Sequence, residues 1–242
     1  MQQEAILAFL RQRDKLHDRD FVVGSRQHFD ASSRNTTATD TAVSDEKIES
    51  IITQCGIQED VALDLSSSGL KTLPRNLAGL HKLRQIFLNK NRMEELPLCL
   101  CELSDLIGLN LGYNELQVLP AEIGDLALLQ ALNLGTNRLS ALPPTIGRLT
   151  SLMVLDLYGN SISRLPAEIG QLRALRRLYV DNNELEELPS ELGNLRNLLR
   201  LYVGQNQLQT CAHDPHSGFA HESSRLLMSN GWRTFDTNGH LT

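Results

Sequence analysis

The residues of this sequence that could perform metal chemistry lie together near the C-terminus. Four thiol and imidazole side chains occur there within eleven residues: Cys211, His213, His216 and His221. Cysteine thiolate and imidazole are the ligands that Zn²⁺ prefers in proteins. Their spacing matches no zinc-finger pattern, and isolated motifs of this kind often arise by chance. We therefore expect no metal and no other cofactor, and a metal- or redox-responsive protein is the least favoured interpretation.

Two other cysteines, Cys99 and Cys101, alternate as C-x-C, and Cys55 stands alone. Together with Cys211 they do not have the spacing of a disulfide framework. Small, mostly buried thiols are the favoured interpretation of Cys99 and Cys101. This cysteine usage predicts reduced thiols and a cytoplasmic protein.

Sequence motifs of the common enzyme classes do not occur. The chain contains no G-x-x-x-x-G-K-[ST], G-x-G-x-x-G, G-x-S-x-G or H-E-x-x-H. The segments on either side of the repeats described below have about 59 and 31 residues, which is too few for an ordinary catalytic domain. We predict that the protein is not an enzyme and has no catalytic residues.

The composition argues against two classes of partner. The chain has 242 residues, of which 41% are hydrophobic and 21% charged, and its net charge is -6. A generally basic surface, which nucleic-acid binding requires, is therefore not expected. The apolar run near the N-terminus has about six residues, far fewer than the roughly 20 that cross a bilayer. We predict neither nucleic-acid binding nor membrane insertion.

The elements that position any site are indicated by an internal repeat of 23 residues. An asparagine recurs at this interval at Asn91, Asn114, Asn137, Asn160, Asn183 and Asn206. Leucines keep the same register, and a Leu-Pro step follows the first five of these asparagines. The unit reads LxxLxLxxNxLxxLPxxIGxLxx, and we count seven turns, of which the first and last are irregular.

This pattern resembles the leucine-rich repeat, and segments such as LPAEIGDL and LPPTIGRL are similar to its intracellular Ras-group variant. The resemblance covers residues 60–211. It implies an α/β solenoid, a curved horseshoe segment of about seven turns whose short parallel strands line the concave face. It also implies a scaffold or regulator in intracellular signalling, with a Ras-type GTPase or a phosphatase subunit as partner.

The chemistry of the repeat agrees with that fold. Alternate residues of a strand face opposite sides, so the leucines of LxL point inward, and only stacked neighbours can bury them. The recurrent asparagine is interpreted as a buried amide that satisfies backbone groups of adjacent turns. A recurrent glycine is expected to allow a tight turn on the convex side. It occurs at Gly124, Gly147, Gly170 and Gly193.

The ends of the array require caps, because a terminal turn would otherwise expose its core. Ile48, Ile51, Ile52 and Cys55 recur at helical spacing and predict an amphipathic capping helix. The expected organisation is an N-terminal helix and flexible linker (1–43), the capping helix (44–59), the repeat array (60–211) and a C-terminal cap or tail (212–242).

The variable strand positions predict where a partner binds, because they face the concave surface. The middle turns offer small residues there, whereas the last three offer tyrosine beside arginine and aspartate. Tyrosine and arginine are enriched at binding hot spots. The predicted partner-binding residues are Phe87, Tyr158, Arg177, Tyr179, Asp181, Arg200 and Tyr202. A solvated face whose tyrosines only pack against each other is the alternative.

The functional prediction is a non-catalytic module that binds another protein on its concave face. One alternative is a microbial effector or a substrate-recognition adaptor. In that case residues 1–43 would serve as a translocation or docking signal.

Overall fold

The computed structural model describes residues 45–58, 62–208 and 233–235. These residues contain one α-helix, eight short strands and six 3-10 helices. Helix α1 spans Asp45–Gln58. The strands are β1 (Ala62–Asp64), β2 (Gln85–Phe87), β3 (Gly108–Asn110), β4 (Ala131–Asn133), β5 (Val154–Asp156), β6 (Arg177–Tyr179), β7 (Arg200–Tyr202) and β8 (Arg233–Phe235).

All eight strands form one parallel sheet in sequential order, from β1 to β8. From β1 to β7, each residue pairs with the residue 23 positions later, as Leu109 does with Leu132. The repeat period of the sequence is therefore the register of the sheet. The predicted curved solenoid with a parallel concave sheet is confirmed.

The opposite side of each turn is a 3-10 helix that follows the Leu-Pro step. These helices are Arg75–Gly79, Leu98–Leu100, Ala121–Asp125, Pro144–Arg148, Ala167–Gln171 and Ser190–Asn194. The proline before each helix is extended, with φ between -71° and -63° and ψ between 129° and 154°. Proline fixes this φ, so the same step recurs in every turn.

The core lies between the sheet and the 3-10 helices and consists almost entirely of leucine and isoleucine. The central strand leucines from Leu109 to Leu201 are fully buried. Ile48, Ile52 and Cys55 of α1 belong to the same cluster. An amphipathic helix therefore packs on the first turn, within the range where the sequence predicts a cap.

The recurrent asparagine bridges adjacent turns, as predicted, and it is buried at every position except the half-buried Asn206. The Oδ1 of Asn137 accepts a hydrogen bond from the Leu116 N–H at 3.0 Å. Its Nδ2 donates to the carbonyls of Leu111 at 3.0 Å and Leu134 at 2.9 Å. The same bonds recur at Asn91, Asn114, Asn160, Asn183 and Asn206.

The residue before this asparagine position adopts a left-handed backbone in all seven described turns, with φ between 51° and 64°. Only one of these seven residues is a glycine, Gly159. The other six are Ser67, Lys90, Tyr113, Thr136, Asn182 and Gln205. The first six of the seven, from Ser67 to Asn182, each donate the N–H to a carbonyl of the next turn, as Thr136 does to Tyr158. The inter-turn hydrogen bond holds a conformation that the residue types alone do not favour.

The recurrent glycines have a different role from the one expected. None of Gly124, Gly147 and Gly170 has a positive φ. A Cβ at these positions would lie 2.4–2.7 Å from a backbone oxygen of the next 3-10 helix. The expectation of a glycine-dependent tight turn is therefore wrong at these positions, where glycine permits close packing between adjacent turns.

Candidate partner-binding surface

The last three strands present the same two residue types in the same register. Arg177 of β6 is aligned with Arg200 of β7, and Arg200 with Arg233 of β8. Two positions later, Tyr179, Tyr202 and Phe235 are aligned in the same way. One end of the concave sheet thus has a column of arginine positions beside a column of aromatic positions.

The two tyrosines of this column stack on each other. The ring centroids of Tyr179 and Tyr202 are 4.5 Å apart, and the ring planes differ by 15°. Tyr179 also packs with Ala131 and Val154 in a small buried cluster outside the solenoid core, and Met153 and Tyr202 contact this cluster. The apolar contacts and the stacking fix the tyrosine rings against neighbouring strands.

Burial distinguishes the predicted site residues from one another. Arg200 is exposed, and five are half-buried: Phe87, Tyr158, Arg177, Asp181 and Tyr202. Tyr179 is only 3% exposed. Tyr179 therefore differs from the expectation of a displayed side chain. It acts as the packed support for Tyr202.

Phe87 lies apart from the other predicted residues. It belongs to β2, whereas Tyr158 follows β5 and the remaining residues belong to or directly follow β6 and β7. Strands β3, β4 and β5 separate Phe87 from β6. The structure thus brings together Tyr158, Arg177, Tyr179, Asp181, Arg200 and Tyr202, and leaves Phe87 at the other end of the sheet.

The middle of the concave face is a buried polar ladder. Asn110, Asn133 and Asp156 occupy one register column and are 1–4% exposed. Each Oδ1 accepts a hydrogen bond from the backbone N–H two residues later, at 2.8–3.1 Å. These side chains fold back on their own strand ends, as in an Asx turn.

The ladder explains the small residues of the central floor. A Cβ at Gly112 would lie 3.0 Å from the Asn133 Oδ1, and one at Gly135 would lie 3.3 Å from the Asp156 Oδ1. Glycine at these positions makes room for the neighbouring amide or carboxylate. Glycine at these two positions therefore has a structural reason that does not depend on a partner.

The repeat did not predict that Arg233 and Phe235 occupy the same register columns as Arg200 and Tyr202. They lie 33 residues after Arg200 and Tyr202, outside the 23-residue period. The signal that could have identified them is local: the strands read RLY, RLY and RTF. An Arg-x-aromatic triplet thus recurs in all three.

The thiols of the C-x-C pair belong to the core. Burial raises the pKa of Cys99, and the nearby Glu102 raises it further. Burial also raises the pKa of Cys101 to about 12, with a contribution from Glu122. Both thiols are therefore protonated at neutral pH, and protonated thiols are poor nucleophiles and poor metal ligands.

The other predictions from the sequence concern metal binding and membrane insertion. Within residues 45–58, 62–208 and 233–235, no group of three or more His, Cys, Asp or Glu side chains is placed to hold a metal ion. The candidate ligands Cys211, His213, His216 and His221 lie outside the described residues. None of the described helices combines the length and the hydropathy needed to cross a membrane.

Comparison with known proteins identifies the repeat. The family model described as Leucine rich repeat matches residues 129–185. A search of the curated proteins finds no match by sequence. Together with the strand register and the asparagine bridges, the family match supports a solenoid built of leucine-rich repeats.

Solved structures with the same repeats come from bacteria and plants. A leucine-rich repeat protein of Leptospira interrogans is 31% identical to this chain, with a TM-score of 0.51. The match covers 64% of this chain and 52% of the Leptospira protein. The ectodomain of the plant membrane receptor kinase GASSHO1/SCHENGEN3 from Arabidopsis thaliana, in complex with CASPARIAN STRIP INTEGRITY FACTOR 2, is 38% identical. Its TM-score is 0.53 over 56% of this chain and 17% of its own.

The functional domain of InlJ from Listeria monocytogenes is 22% identical, with a TM-score of 0.57 over 73% of this chain and 34% of its own. At this identity the likeness concerns the fold alone. The chain spans about half the length of the Leptospira protein and a smaller share of the other two.

Proposed function

We propose that this leucine-rich repeat array binds a partner protein on the concave face of its last turns. The observation that carries the proposal is the register of strands β6, β7 and β8, which repeats arginine and an aromatic residue at the same positions. The stability of a solenoid comes from its inward leucines and the contacts between stacked turns, and does not require arginine at these outward positions. Large aromatic and arginine residues in register provide contact area and directed hydrogen bonds, which are the properties of binding hot spots.

The proposed contact residues are Tyr158, Arg177, Asp181, Arg200 and Tyr202, with Tyr179 as the packed support beneath Tyr202. The stack of Tyr179 on Tyr202 holds an aromatic surface rigid before a partner arrives, which lowers the entropy cost of binding. The plant receptor ectodomain, solved in complex with another factor, supports the use of such repeats in partner binding. Phe87 is a secondary contact, reached only by a partner that extends along the sheet.

We propose a non-catalytic scaffold or regulator in signalling. The Ras-group character of segments such as LPAEIGDL suggests a Ras-type GTPase or a phosphatase subunit as partner. A cytoplasmic setting fits Cys99 and Cys101, which are free thiols, because reducing compartments keep thiols unpaired.

Affinity purification with quantified partners tests the concave site. Tyr158→Ala/Tyr202→Ala removes two half-buried aromatic side chains from the face without touching the solenoid core. We expect recovery of the specific partners to fall at least tenfold, since each hot-spot aromatic contributes about 2 kcal/mol or more. Candidate Ras-type GTPases and phosphatase subunits are then tested by direct binding.

The matched control is Leu98→Ala/Leu128→Ala, which removes two apolar side chains, 54% and 48% exposed, from outside the concave face. Circular dichroism and thermal melting verify that both double variants are folded. Equal partner recovery by the tyrosine variant and the wild type, with both folded, would show that the concave site is wrong.

A further inference from the structure

Three arginine positions follow one another across the last strands of the sheet. Arg177, Arg200 and Arg233 occupy one register column, on β6, β7 and β8. Neighbouring strands are about 4.8 Å apart, so the side chains of Arg177 and Arg200 are direct neighbours. In the first five strands the same column holds Ala62, Gln85, Gly108, Ala131 and Val154. The charge is therefore confined to one end of the concave face.

This placement opposes stability, because like charges directly across neighbouring strands repel. Elsewhere the array pairs arginine with a carboxylate of an adjacent turn. Arg138 lies 2.8 Å from Glu115, Arg148 lies 3.6 Å from Asp125, and Arg164 lies 3.5 Å from Glu186. The fold can thus neutralise an arginine with a carboxylate of the adjacent turn, and it does so at these three arginines.

Arg177 and Arg200 have no carboxylate partner within 4.0 Å among the residues that the structure describes. Arg200 is exposed and Arg177 half-buried, so both guanidinium groups lie at the surface. Beside them lies the apolar contact surface of Tyr202, which is stacked on Tyr179. The face combines unneutralised positive charge with a rigid aromatic surface.

We propose that Arg177 and Arg200 bind an acidic segment of the partner protein, with the segment's apolar side chains on Tyr202 and Tyr158. The proposal rests on the proposed function and specifies its partner chemistry. The guanidinium group presents paired N–H donors that match a carboxylate in a two-pronged contact. Carboxylates four residues apart on a helix, or two apart in an extended chain, are about 5–7 Å apart, which suits arginines on neighbouring strands.

A protein segment fits this surface better than a nucleic acid does. Nucleic-acid binding draws its affinity from many phosphates neutralised at once, and the chain as a whole carries a net charge of -6. Asp181 also lies two positions beyond Tyr179, next to the column. A continuous phosphate backbone would meet this carboxylate, whereas a protein segment can place a neutral or basic residue opposite it.

Fluorescence anisotropy with defined peptides tests the inference on the full-length chain. The probe is a labelled 16-residue helical peptide with leucines on one face and glutamates four residues apart beside them. Matched peptides carry glutamine or lysine in place of glutamate, and labelled oligothymidine is the nucleic-acid probe. We expect the glutamate peptide to bind at least tenfold more tightly than the glutamine peptide, and to weaken as salt is raised.

Arg177→Glu/Arg200→Glu is expected to weaken binding of the glutamate peptide at least tenfold. Arg177→Lys/Arg200→Lys keeps the charge but loses the paired donors, and is expected to give intermediate binding that still depends on salt. The matched control, Arg75→Glu/Arg148→Glu, changes the net charge equally at two exposed arginines of the convex 3-10 helices. It is expected to leave binding within about twofold of the wild type, because screening weakens distant charges.

Equal binding of the glutamate and glutamine peptides, equal binding by the two charge-reversal variants, or tighter binding of oligothymidine would each overturn the inference. The same variants distinguish this failure from failure of the proposed function. If Tyr158→Ala/Tyr202→Ala abolishes partner capture while Arg177→Glu/Arg200→Glu does not, the concave site stands and its acidic ligand is wrong. If neither variant changes capture, the proposed function itself is wrong.

Discussion

The residue that determines most about this protein is the asparagine of each turn. Its side chain has both an acceptor and two donors, and in the array all three are used within the described turns, as Asn137 illustrates. A leucine or alanine would supply none of these bonds, and an aspartate would lack the donors and bring a buried charge. The strict recurrence of asparagine thus follows from the backbone groups that a tightly bent chain leaves without partners.

The first prediction at this scale concerns Asn137→Ala. It leaves one N–H and two carbonyls of neighbouring turns without their hydrogen bonds, at about 1 kcal/mol or more for each. We expect the free energy of unfolding, measured in urea, to fall by about 3 kcal/mol. Asn194→Ala, which removes an exposed asparagine of the sixth 3-10 helix, should change it by less than about 0.5 kcal/mol. Similar losses for the two variants would contradict the bridging role of Asn137.

At the scale of elements, the fold depends on how closely the 3-10 helices approach one another. A Cβ at Gly147 would lie 2.7 Å from the backbone oxygen of Glu168 in the following turn. The equivalent positions of the first two turns hold Ala78 and Cys101 in place of glycine. The second 3-10 helix is also shorter, with three residues where the others have five. The convex side is therefore most regular where glycine recurs.

Gly147→Ala tests this packing requirement. The added methyl group must push two backbone segments apart, so we expect the free energy of unfolding to fall by about 1–3 kcal/mol. The control is Gly79→Ala in the first 3-10 helix, where a Cβ would meet nothing within 4 Å. That substitution should be neutral or stabilise by up to about 1 kcal/mol, because alanine restricts the unfolded chain. Chemical denaturation of both variants measures these changes. Equal changes in the free energy of unfolding would contradict the close approach of adjacent turns as the reason for glycine at position 147.

At the scale of the whole molecule, the array is nearly one-dimensional, because each turn contacts only its neighbours. Its stability is therefore sensitive at the ends, where one side of a turn lacks a neighbour. Helix α1 supplies Ile48, Ile52 and Cys55 to the core at the N-terminal end. At the other end, β8 pairs with β7 and extends the sheet beyond the last repeat.

Ile52→Ala tests whether an end effect stays local. Ile52 is 1% exposed, and truncating a buried isoleucine costs about 2–5 kcal/mol. Hydrogen exchange of the Leu65 amide, bonded to Phe87 in the first turns, should accelerate at least tenfold. That of the Leu157 amide, bonded to Tyr179, should change little. Gln54→Ala, an exposed position of α1, is the control, and uniform acceleration along the array would contradict the local model.

Much of the fold was predictable from sequence because its determinants are local and repeated. The 23-residue period of leucine, asparagine and proline predicted the strands, their parallel register and the buried amide bridges. The same backbone arrangement satisfies every turn, so each repeat supports the structure predicted for the others. The left-handed residue before each asparagine was not predictable, because Gly159 is the only glycine among the seven.

The sequence alone determined the solenoid, its core and the face that displays Arg177, Arg200 and Tyr202, because a fixed period leaves one inward and one outward set of side chains. Only the tertiary structure decided that Tyr179 is buried against Val154, that glycine serves close packing between turns, and that Arg233 and Phe235 join the same columns. The first two features depend on distances between stacked turns, and the third on a strand that lies outside the 23-residue period. They arise from contacts that form only when the turns stack and the last strand pairs with the sheet.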